Sequence, residues 1–418
     1  MHLIVAWGWS QSEAADRPLN IVIVLVDDMG WTDCGCFGSD LYQTPHIDQL
    51  AREGMLFRQA YSACTVCSPT RAALLTGKYP ARLHVTDWIP GLVPDNPRLL
   101  VPEWTKHLPL EEVALAEVFR QAGYATASIG KWHLGGEPYY PEHHGFDINV
   151  AGTDKAAPPS YFAPWKIPTL NEGRPGESLT NRIGAEAVEF IRRSRGRPFF
   201  LYVPHFAVHK PIQGRPDLVR KYQARPRGDR KHRNAEYAAM VENMDETVGQ
   251  IRQALRDEQV EDRTAIIFTS DNGGHIPSTS NAPLRAGKAS AYEGGVRVPL
   301  IIHWPGVTRA GRVCEVPVMT IDFYPTLLEM AGLPGAAEHV PDGVSLVDVL
   351  MGADALPRDA LYWHYPHHQH YQQQGAMPYG AIRSGDHRLI EFYDDEHVEL
   401  FDLRHDIGEA HDLAAENP

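Results

Sequence analysis

Runs of apolar residues without polar alternation recur along the first 300 positions, and they predict strands buried on both faces of a sheet. The first, Asn20–Val26, is a continuous β-branched run. Four later runs share this character: Ala125–Ile129, Phe199–Val203, Thr264–Thr269 and Val298–His303. Helical patterns lie between them. Apolar residues in Tyr237–Leu255 recur at alternating steps of four and three, and Leu110–Ala122 also has an apolar face, so both segments are predicted to be helices.

The alternation of strand and helix predicts a doubly wound α/β sheet. Pro158–Pro175 is rich in proline and is predicted to be a long surface loop. Past about Leu350 three short alternating runs follow: Gly380–Arg383, His387–Tyr393 and Val398–Leu403. They predict a small antiparallel sheet with one helix-covered face. We therefore expect a large domain over residues 18–350 and a small α+β subdomain over residues 351–418.

Composition narrows the class of protein. The 418 residues are 43% hydrophobic and 22% charged, which is typical of a soluble globular protein. No apolar run reaches the roughly 20 residues needed to span a bilayer. The formal net charge of −14 argues against a nucleic acid partner, and an anionic substrate would need a local cationic pocket. Leu3–Trp7 and Ala14-Ala15 resemble the tail of a secretion signal, so residues 1–17 are interpreted as its remnant.

Five cysteines are too few for a disulfide framework. Two pairs, Cys34-x-Cys36 and Cys64-x-x-Cys67, allow the interpretation of a four-cysteine zinc site. For Cys67 there are two further interpretations. Pro69 suits the first turn of a helix and Gly77 its end, so Cys67 lies where a helix dipole favours anions. The alternative is a buried structural cysteine.

Acidic and amide side chains directly follow two of the predicted strands. Asp27 and Asp28 come after the first strand, and Asp271 and Asn272 after the fourth. A helix cap explains one aspartate of the first pair but not both. Adjacent carboxylates at the end of a buried strand are costly unless they bind or pair with a cation. Together the four residues offer oxygen ligands that suit calcium or magnesium rather than zinc.

Cationic residues follow other strand ends. Lys131 and His133 come after the second strand, and their alternation sends both to one side. His209 lies on a loop after the third strand, and Lys288 precedes a glycine-rich segment. Each could be an ordinary surface charge, but the flanking glycines indicate close approach of the backbone.

These motifs together resemble the type I sulfatase family of the alkaline phosphatase superfamily. Cys67-Ser68-Pro69-Thr70-Arg71 fits the Cys-x-Pro-x-Arg signature that the formylglycine-generating enzyme recognises, and Leu74-Leu75-Thr76-Gly77 fits its continuation. Three more segments match in order: Gly130–His133, Ser270–Gly273 and Gly287-Lys288. Gly380–Arg383 and Glu399–Leu403 are similar to the C-terminal subdomain of arylsulfatase A-like enzymes. The resemblance covers roughly Asn20 to Leu413 and implies an alkaline phosphatase-like α/β fold, with a large mixed, mostly parallel sheet flanked by helices.

The resemblance implies a sulfuric ester hydrolase with one Ca²⁺ per site and formylglycine (3-oxoalanine) made from Cys67. The hydrated aldehyde would attack sulfur through one hydroxyl and expel sulfate through the other. The implied metal ligands are these: Asp27, Asp28, Cys67, Asp271 and Asn272. Arg71 and Lys131 would hold the nucleophile and its charge, and His133 would take a proton during sulfate release. His209 and Lys288, with Lys131, would contact sulfate, and His209 is favoured as the acid because an ordinary histidine titrates near neutrality.

Substrate, partners and location are implied less directly. The expected substrates are sulfated carbohydrates. Asp87-Trp88, His364 and His367 are expected to make additional contacts with them. The two histidines belong to a histidine-rich run that ends at His370 and is predicted to be a loop at the mouth of the pocket. A formylglycine-generating enzyme or an anaerobic maturase would modify Cys67, in a periplasmic or secreted protein. Two alternatives remain: a phosphodiesterase or phosphonate hydrolase of the same superfamily, or a non-catalytic glycan-binding protein with unmodified Cys67.

Overall fold

The computed structural model describes residues 18–225, 231–369 and 374–417. The predicted signal remnant at residues 1–17 and His370 lie outside these ranges. The strands are β1 (Asn20–Val26), β2 (Met55–Tyr61), β3 (Ala125–Ile129), β4 (Ile148–Val150), β5 (Phe199–Pro204), β6 (Thr264–Ser270), β7 (Arg297–His303), β8 (Arg312–Cys314), β9 (Val318–Met319), β10 (Ala360–Tyr365), β11 (Tyr379–Ser384), β12 (His387–Phe392) and β13 (Val398–Asp402).

The α-helices are α1 (Pro45–Glu53), α2 (Cys67–Thr76), α3 (Pro80–Leu83), α4 (Leu115–Gln121), α5 (Leu179–Arg193), α6 (Pro216–Gln223), α7 (Ala235–Asp257), α8 (Glu293–Val296), α9 (Phe323–Met330) and α10 (Val347–Met351). Short 3₁₀ helices form at Gly35–Phe37, Pro141–His144, Glu261–Arg263 and Thr320–Asp322. Among the described helices, none combines the length and the apolar character needed to cross a membrane.

Nine strands form one large sheet in the order β4-β3-β5-β1-β6-β7-β2-β8, with β9 also paired to β2. Among them β7 runs antiparallel to its neighbours β6 and β2, whereas the other recorded pairs are parallel. This is the mixed, mostly parallel sheet that the sequence predicts. The carboxyl ends of β1, β2, β3, β5 and β6 therefore meet at one edge, which is where α/β folds place their sites.

The central strand β1 shows why this sheet is covered on both faces. Val22, Val24 and Val26 pack in one apolar cluster with residues of α1, α5 and α7. The alternate residues Ile21, Ile23 and Leu25 pack in a second cluster with residues of α2, α4 and α9. Because successive side chains of a strand point to opposite faces, a run without polar residues is the expected sequence of such a strand.

The small sheet is antiparallel, in the order β10-β11-β12-β13. Its buried face carries Trp363 and Tyr365, whose cluster includes Tyr61 of β2, Ala73 of α2 and Val296 of α8. The indole Nε1 of Trp363 donates a hydrogen bond to the Ser62 carbonyl at 2.9 Å. The residues that cover the buried face of the small sheet thus belong to the part of the chain that forms the large sheet. The division at residue 350 stays a prediction.

Four local predictions need correction. Residues 110–114 are not helical, because the chain turns after Pro109, where the Glu112 amide donates to its carbonyl, and α4 begins only at Leu115. Strand β2 was not predicted. The predicted surface loop Pro158–Pro175 packs against the core, with Trp165 fully buried. The expected loop around His364 is in part strand β10.

Candidate active site

The two acidic segments lie side by side because β1 and β6 are neighbouring parallel strands. The Asp28 amide donates to Asp271 Oδ1 at 3.2 Å, and Asn272 Nδ2 donates to Asp28 Oδ1 at 2.9 Å. All four side chains, including that of Asp27, are buried. The strand-end pattern of the sequence therefore becomes one cluster of oxygen atoms at the carboxyl edge of the sheet.

Cys67 is the first residue of α2, a helix whose ten residues are all buried. Ligand atoms of Asp27, Asp28, Cys67 and His209 all lie within 4.8 Å of one another. The ammonium of Lys288 lies 3.5 Å from the Cys67 sulfur. The structure thus places the signature cysteine beside the carboxylates, at the start of a helix where an anion is stabilised by the dipole.

Two fully buried cations, Arg71 and Lys131, form ion pairs with the aspartates of this cluster. Arg71 donates through Nε to Asp271 Oδ2 at 2.9 Å and through Nη1 to the Lys131 carbonyl at 2.8 Å, and its Nη2 forms an ion pair with Asp271 Oδ2 at 2.8 Å. Lys131 Nζ lies 2.6 Å from Asp27 Oδ2. Because both side chains of each pair are removed from solvent, the pairing offsets a large cost of burying their charges.

His209 and Lys288 face Asp28 from the pocket side. Lys288 Nζ lies 2.6 Å from Asp28 Oδ1, and His209 Nε2 lies 3.6 Å from Oδ2. His209 Nδ1 lies 2.7 Å from the Lys210 carbonyl, so Nδ1 carries the hydrogen. Burial, followed by the charge of Lys288, lowers the pKa of His209 well below its ordinary value. The expectation that His209 titrates near neutrality, as an ordinary histidine does, therefore does not hold in this pocket.

His133 lies in the same pocket with one nitrogen available. Its Nε2 lies 2.5 Å from the Ile89 carbonyl and must donate, whereas Nδ1 is buried and makes no hydrogen bond with a described residue. Burial, with the charge of Lys131, lowers the pKa of His133 well below 6.5. Its Nδ1 lone pair can therefore accept a proton.

Burial and neighbouring charges shift the pKa values of the acidic groups in the site in different directions. Burial raises the pKa of Asp28, but Lys288 and His209 outweigh burial and hold it below its usual range. Burial, together with the charge of Asp27, raises the pKa of Asp271 to about 6. Burial raises the pKa of the Cys67 thiol to about 12. An unmodified Cys67 is thus a neutral thiol at pH 7, not a thiolate nucleophile.

The donor set fits a hard cation. Asp27 Oδ1 and Asn272 Oδ1 are buried and accept no hydrogen bond from a described residue, so both oxygens have open lone pairs. With Asp28 they form the oxygen-rich ligand set that calcium and magnesium prefer. Asp271 is engaged differently, since Oδ2 faces Arg71 and Oδ1 faces the Asp28 amide. His209, which the sequence did not suggest as a ligand, lies in the candidate metal group.

The four-cysteine zinc interpretation is wrong. Among the described residues, none of the other four cysteines lies with Cys67 in a group of side chains that could hold a metal ion. Cys34 lies 4.0 Å from the Met29 sulfur, and the Cys36 amide bonds to Asp48. The elements that carry the two pairs point their sulfurs into different parts of the structure.

The pocket in front of Cys67 is partly walled by residues outside the motifs. Its lining consists of Val66, Cys67, Trp88, His133, Ala156, His209, Lys210, Lys288 and Gln369. Of the predicted pair Asp87-Trp88, only Trp88 faces it. Asp87 is fully buried behind it, where Oδ1 accepts hydrogen bonds from the Tyr365 hydroxyl at 2.5 Å and from Gln369 Nε2 at 3.2 Å.

The two histidines predicted to contact substrate are not among the lining residues. His364 is exposed on β10, where Nδ1 bonds to the Tyr393 hydroxyl at 3.0 Å. His367 is buried, with Nε2 2.9 Å from the Thr86 hydroxyl. Alternation along β10 sends His364 to the face opposite Tyr365, which explains its position away from the pocket.

Comparison with known proteins identifies the family. A family model described as Sulfatase matches residues 19–333, which is more than half of the chain. The chain belongs to the sulfatase family. A second model, described as N-sulphoglucosamine sulphohydrolase, C-terminal, matches residues 287–418. The predicted enzyme class, sulfuric ester hydrolase, and the predicted fold class are both confirmed.

Individual relatives extend the match over the whole chain. A sulfatase of Formosa agariphila is 34% identical, covering 99% of this chain and 88% of that protein. The N-acetylgalactosamine-6-sulfatase of Canis lupus familiaris is 35% identical, covering 86% of this chain and 71% of that protein. Among solved structures, Ps i-CgsB in complex with k-i-k-neocarrahexaose is similar with a TM-score of 0.81 and 28% identity, covering 96% of this chain and 90% of that one.

Proposed function

We propose that this sulfatase hydrolyses sulfate monoesters on carbohydrates, using Ca²⁺ and formylglycine made from Cys67. The observation that carries the proposal is the position of Cys67, whose sulfur lies within 4.8 Å of ligand atoms of two buried aspartates and 3.5 Å from the Lys288 ammonium. A side chain at this point faces both a hard-cation site and a cation that can bind sulfate. The relatives named for sulfated sugars and the oligosaccharide complex support a carbohydrate substrate.

The residues that would hold Ca²⁺ are Asp27, Asp28 and Asn272, with Asp271 and position 67 completing the set. When bound, the cation supplies positive charge that neutralises sulfate oxygens and lowers the pKa of an attacking hydroxyl. Formylglycine supplies the nucleophilic oxygen that a neutral thiol does not. Its formation requires a formylglycine-generating enzyme or an anaerobic maturase as a partner before or during folding, because Cys67 is only 2% exposed in the folded chain.

The surrounding side chains supply orientation, charge and proton transfer. Arg71 fixes Asp271, and Lys131 fixes Asp27, so the oxygen cluster is held in place before substrate arrives. Lys288 and His209 contact the sulfate, and the negative charge of the bound ester raises the pKa of His209, which burial and Lys288 otherwise lower. That shift lets His209 donate a proton to the leaving oxygen. The open Nδ1 of His133 accepts a proton when sulfate is released.

The sugar would lie against Trp88 and Gln369. An indole face packs well against the apolar face of a sugar ring, and a side-chain amide can exchange hydrogen bonds with its hydroxyls. Asp87 and Tyr365 hold Gln369 in place, so Asp87 acts through its neighbours rather than by touching substrate. Through Gln369 the C-terminal subdomain contributes to the substrate pocket. We place this activity in the periplasm or outside the cell.

The test is release of free sulfate from a panel of sulfated mono- and disaccharides, using protein co-expressed with a maturase. Wild type is expected to turn over at least one member, and Cys67→Ala none, with an unchanged circular dichroism spectrum. Sulfate release that persists in Cys67→Ala would refute the nucleophile. An aryl phosphate or phosphonate cleaved faster than the matching aryl sulfate would favour the phosphodiesterase alternative. A wild-type protein with unmodified Cys67 that binds glycan without turnover would favour the non-catalytic alternative.

A further inference from the structure

The turn that ends at His209 is held from two sides. On one side it pairs with the end of β1, where the Asp27 amide donates to the Ala207 carbonyl at 3.0 Å and the Val208 amide donates to the Asp27 carbonyl at 2.8 Å. The His209 amide closes the turn by donating to the Phe206 carbonyl at 3.0 Å. The backbone of His209 is therefore tied, through this turn, to the strand end that carries the acidic cluster.

The other side of the turn is held by Tyr161, which lies in the proline-rich segment Pro158–Pro175. Its hydroxyl oxygen lies 2.5 Å from the Phe206 carbonyl oxygen and 2.9 Å from the His209 carbonyl oxygen. A hydroxyl has one hydrogen to donate, so the two carbonyls share it. Tyr161 is only 2% exposed, so this contact is shielded from bulk water. The hydroxyl thus ties the first residue of the turn to the last.

Tyr161 is itself fixed by its backbone and by its ring. Its amide donates to Gln213 Oε1 at 2.8 Å, and its carbonyl accepts from the amide of Leu179, the first residue of α5, at 2.8 Å. Its ring packs in the same apolar cluster as Phe206 and Val208 of the turn. Because backbone and ring are both held, the hydroxyl has a defined position relative to the turn, as a group that orients another residue requires.

We propose that the Tyr161 hydroxyl is a positioning group for His209 in sulfate ester hydrolysis. The inference rests on the proposed function and extends it to a side chain that is not among the residues lining the pocket. His209 Nε2 lies 3.6 Å from Asp28 Oδ2, and the proposed function requires it to reach the leaving oxygen. Loss of the hydroxyl releases the carbonyl of the residue that carries this imidazole. A proton donor must lie roughly 2.6–3.2 Å from the atom it protonates, so a displacement of about 1 Å takes the imidazole out of reach.

The first experiment measures kcat/KM of matured Tyr161→Phe on 4-nitrophenyl sulfate, 4-methoxyphenyl sulfate and the sugar sulfate that wild type cleaves. Phenylalanine keeps the buried ring and removes only the hydroxyl. We expect a loss of about 10–100-fold on the sugar and 4-methoxyphenyl esters but less than about threefold on the 4-nitrophenyl ester, whose weakly basic leaving oxygen needs little protonation. The matched control is Tyr222→Phe on α6, a residue 3% exposed whose hydroxyl accepts from the Gln43 amide at 3.1 Å. This control is expected to leave kcat/KM unchanged on every substrate.

Three kinetic results would overturn the inference: an unchanged kcat/KM for Tyr161→Phe, an equal loss for all leaving groups, or the same pattern in Tyr222→Phe. The second experiment needs no turnover. Crystal structures of wild type and Tyr161→Phe should show the His209 ring displaced by about 1 Å relative to Asp28, and an unmoved ring would equally refute the assignment. Failure of the proposed function is separate, because it shows as absent sulfate release by the matured wild type, whereas the structural comparison still decides whether the hydroxyl positions His209.

Discussion

Replacing Arg388 by methionine tests the buried ion network that joins the small sheet to the larger unit. Arg388 and Glu293 are both fully buried, and Arg388 Nη1 lies 2.5 Å from Glu293 Oε1. Glu293 Oε2 also lies 3.0 Å from Arg297 Nη1 and accepts from the Tyr61 hydroxyl at 2.8 Å. Breaking one partner of a buried pair costs about 3–5 kcal/mol. Because Arg297 still faces Glu293 in the variant, we expect a loss near the lower limit, about 3 kcal/mol.

The assay is urea unfolding followed by far-ultraviolet circular dichroism. The matched control is Arg193→Met on α5, whose partner Glu189 lies 2.6 Å away and whose side chain is 71% exposed. An exposed pair of this kind contributes about 0.3–0.5 kcal/mol. The reasoning is refuted if Arg388→Met costs no more than Arg193→Met.

Two further predictions concern acid–base linkage and metal. Burial raises the pKa of Glu409 to about 8. The folded protein therefore retains a proton that the unfolded chain loses above about pH 4.3. Stability consequently falls as the pH rises from about 4.3 to about 8. The free energy of unfolding of Glu409→Gln, measured relative to wild type, should therefore rise by on the order of 1–3 kcal/mol between pH 5 and pH 8.5. If urea unfolding shows the same difference between variant and wild type at both pH values, this sign is contradicted. Removal of metal by a chelator should reduce sulfate release by about 100-fold or more, with recovery by Ca²⁺ better than by Zn²⁺. Full activity of protein shown to be metal-free by mass spectrometry would exclude a cation in the site.

The residues at the strand ends could be predicted because their chemistry is unusual for their position. Asp27 and Asp28 follow an apolar run that predicts a buried strand, where two carboxylates are not expected. Cys67 lies in a segment whose residues are not explained by a need for solubility. The strand before Cys67 was missed for a physical reason. Arg58 and Gln59 interrupt β2 at the point where its register against β7 shifts between Phe57 and Ala60, so the apolar pattern is broken.

The pocket wall could not be predicted in the same way, because it depends on packing between distant segments. Tyr362 and His364 are exposed and Trp363 and Tyr365 are buried, so β10 does have a two-residue period. Its histidine and tyrosines, with the histidine-rich run that follows, obscured that period and favoured a loop. Gln369 reaches the pocket only because the small sheet packs against β2, a contact that sequence periodicity does not encode. The low pKa of His209 likewise follows from burial that tertiary packing creates.

The mass of the peptide that carries Cys67 decides the central claim most directly. Conversion of the thiol to the aldehyde of formylglycine removes about 18 Da, and this residue is the nucleophile under the proposed mechanism. Preparations with different degrees of maturation should show sulfate release in proportion to the converted fraction. Equal activity in a preparation whose Cys67 is entirely thiol would contradict the account.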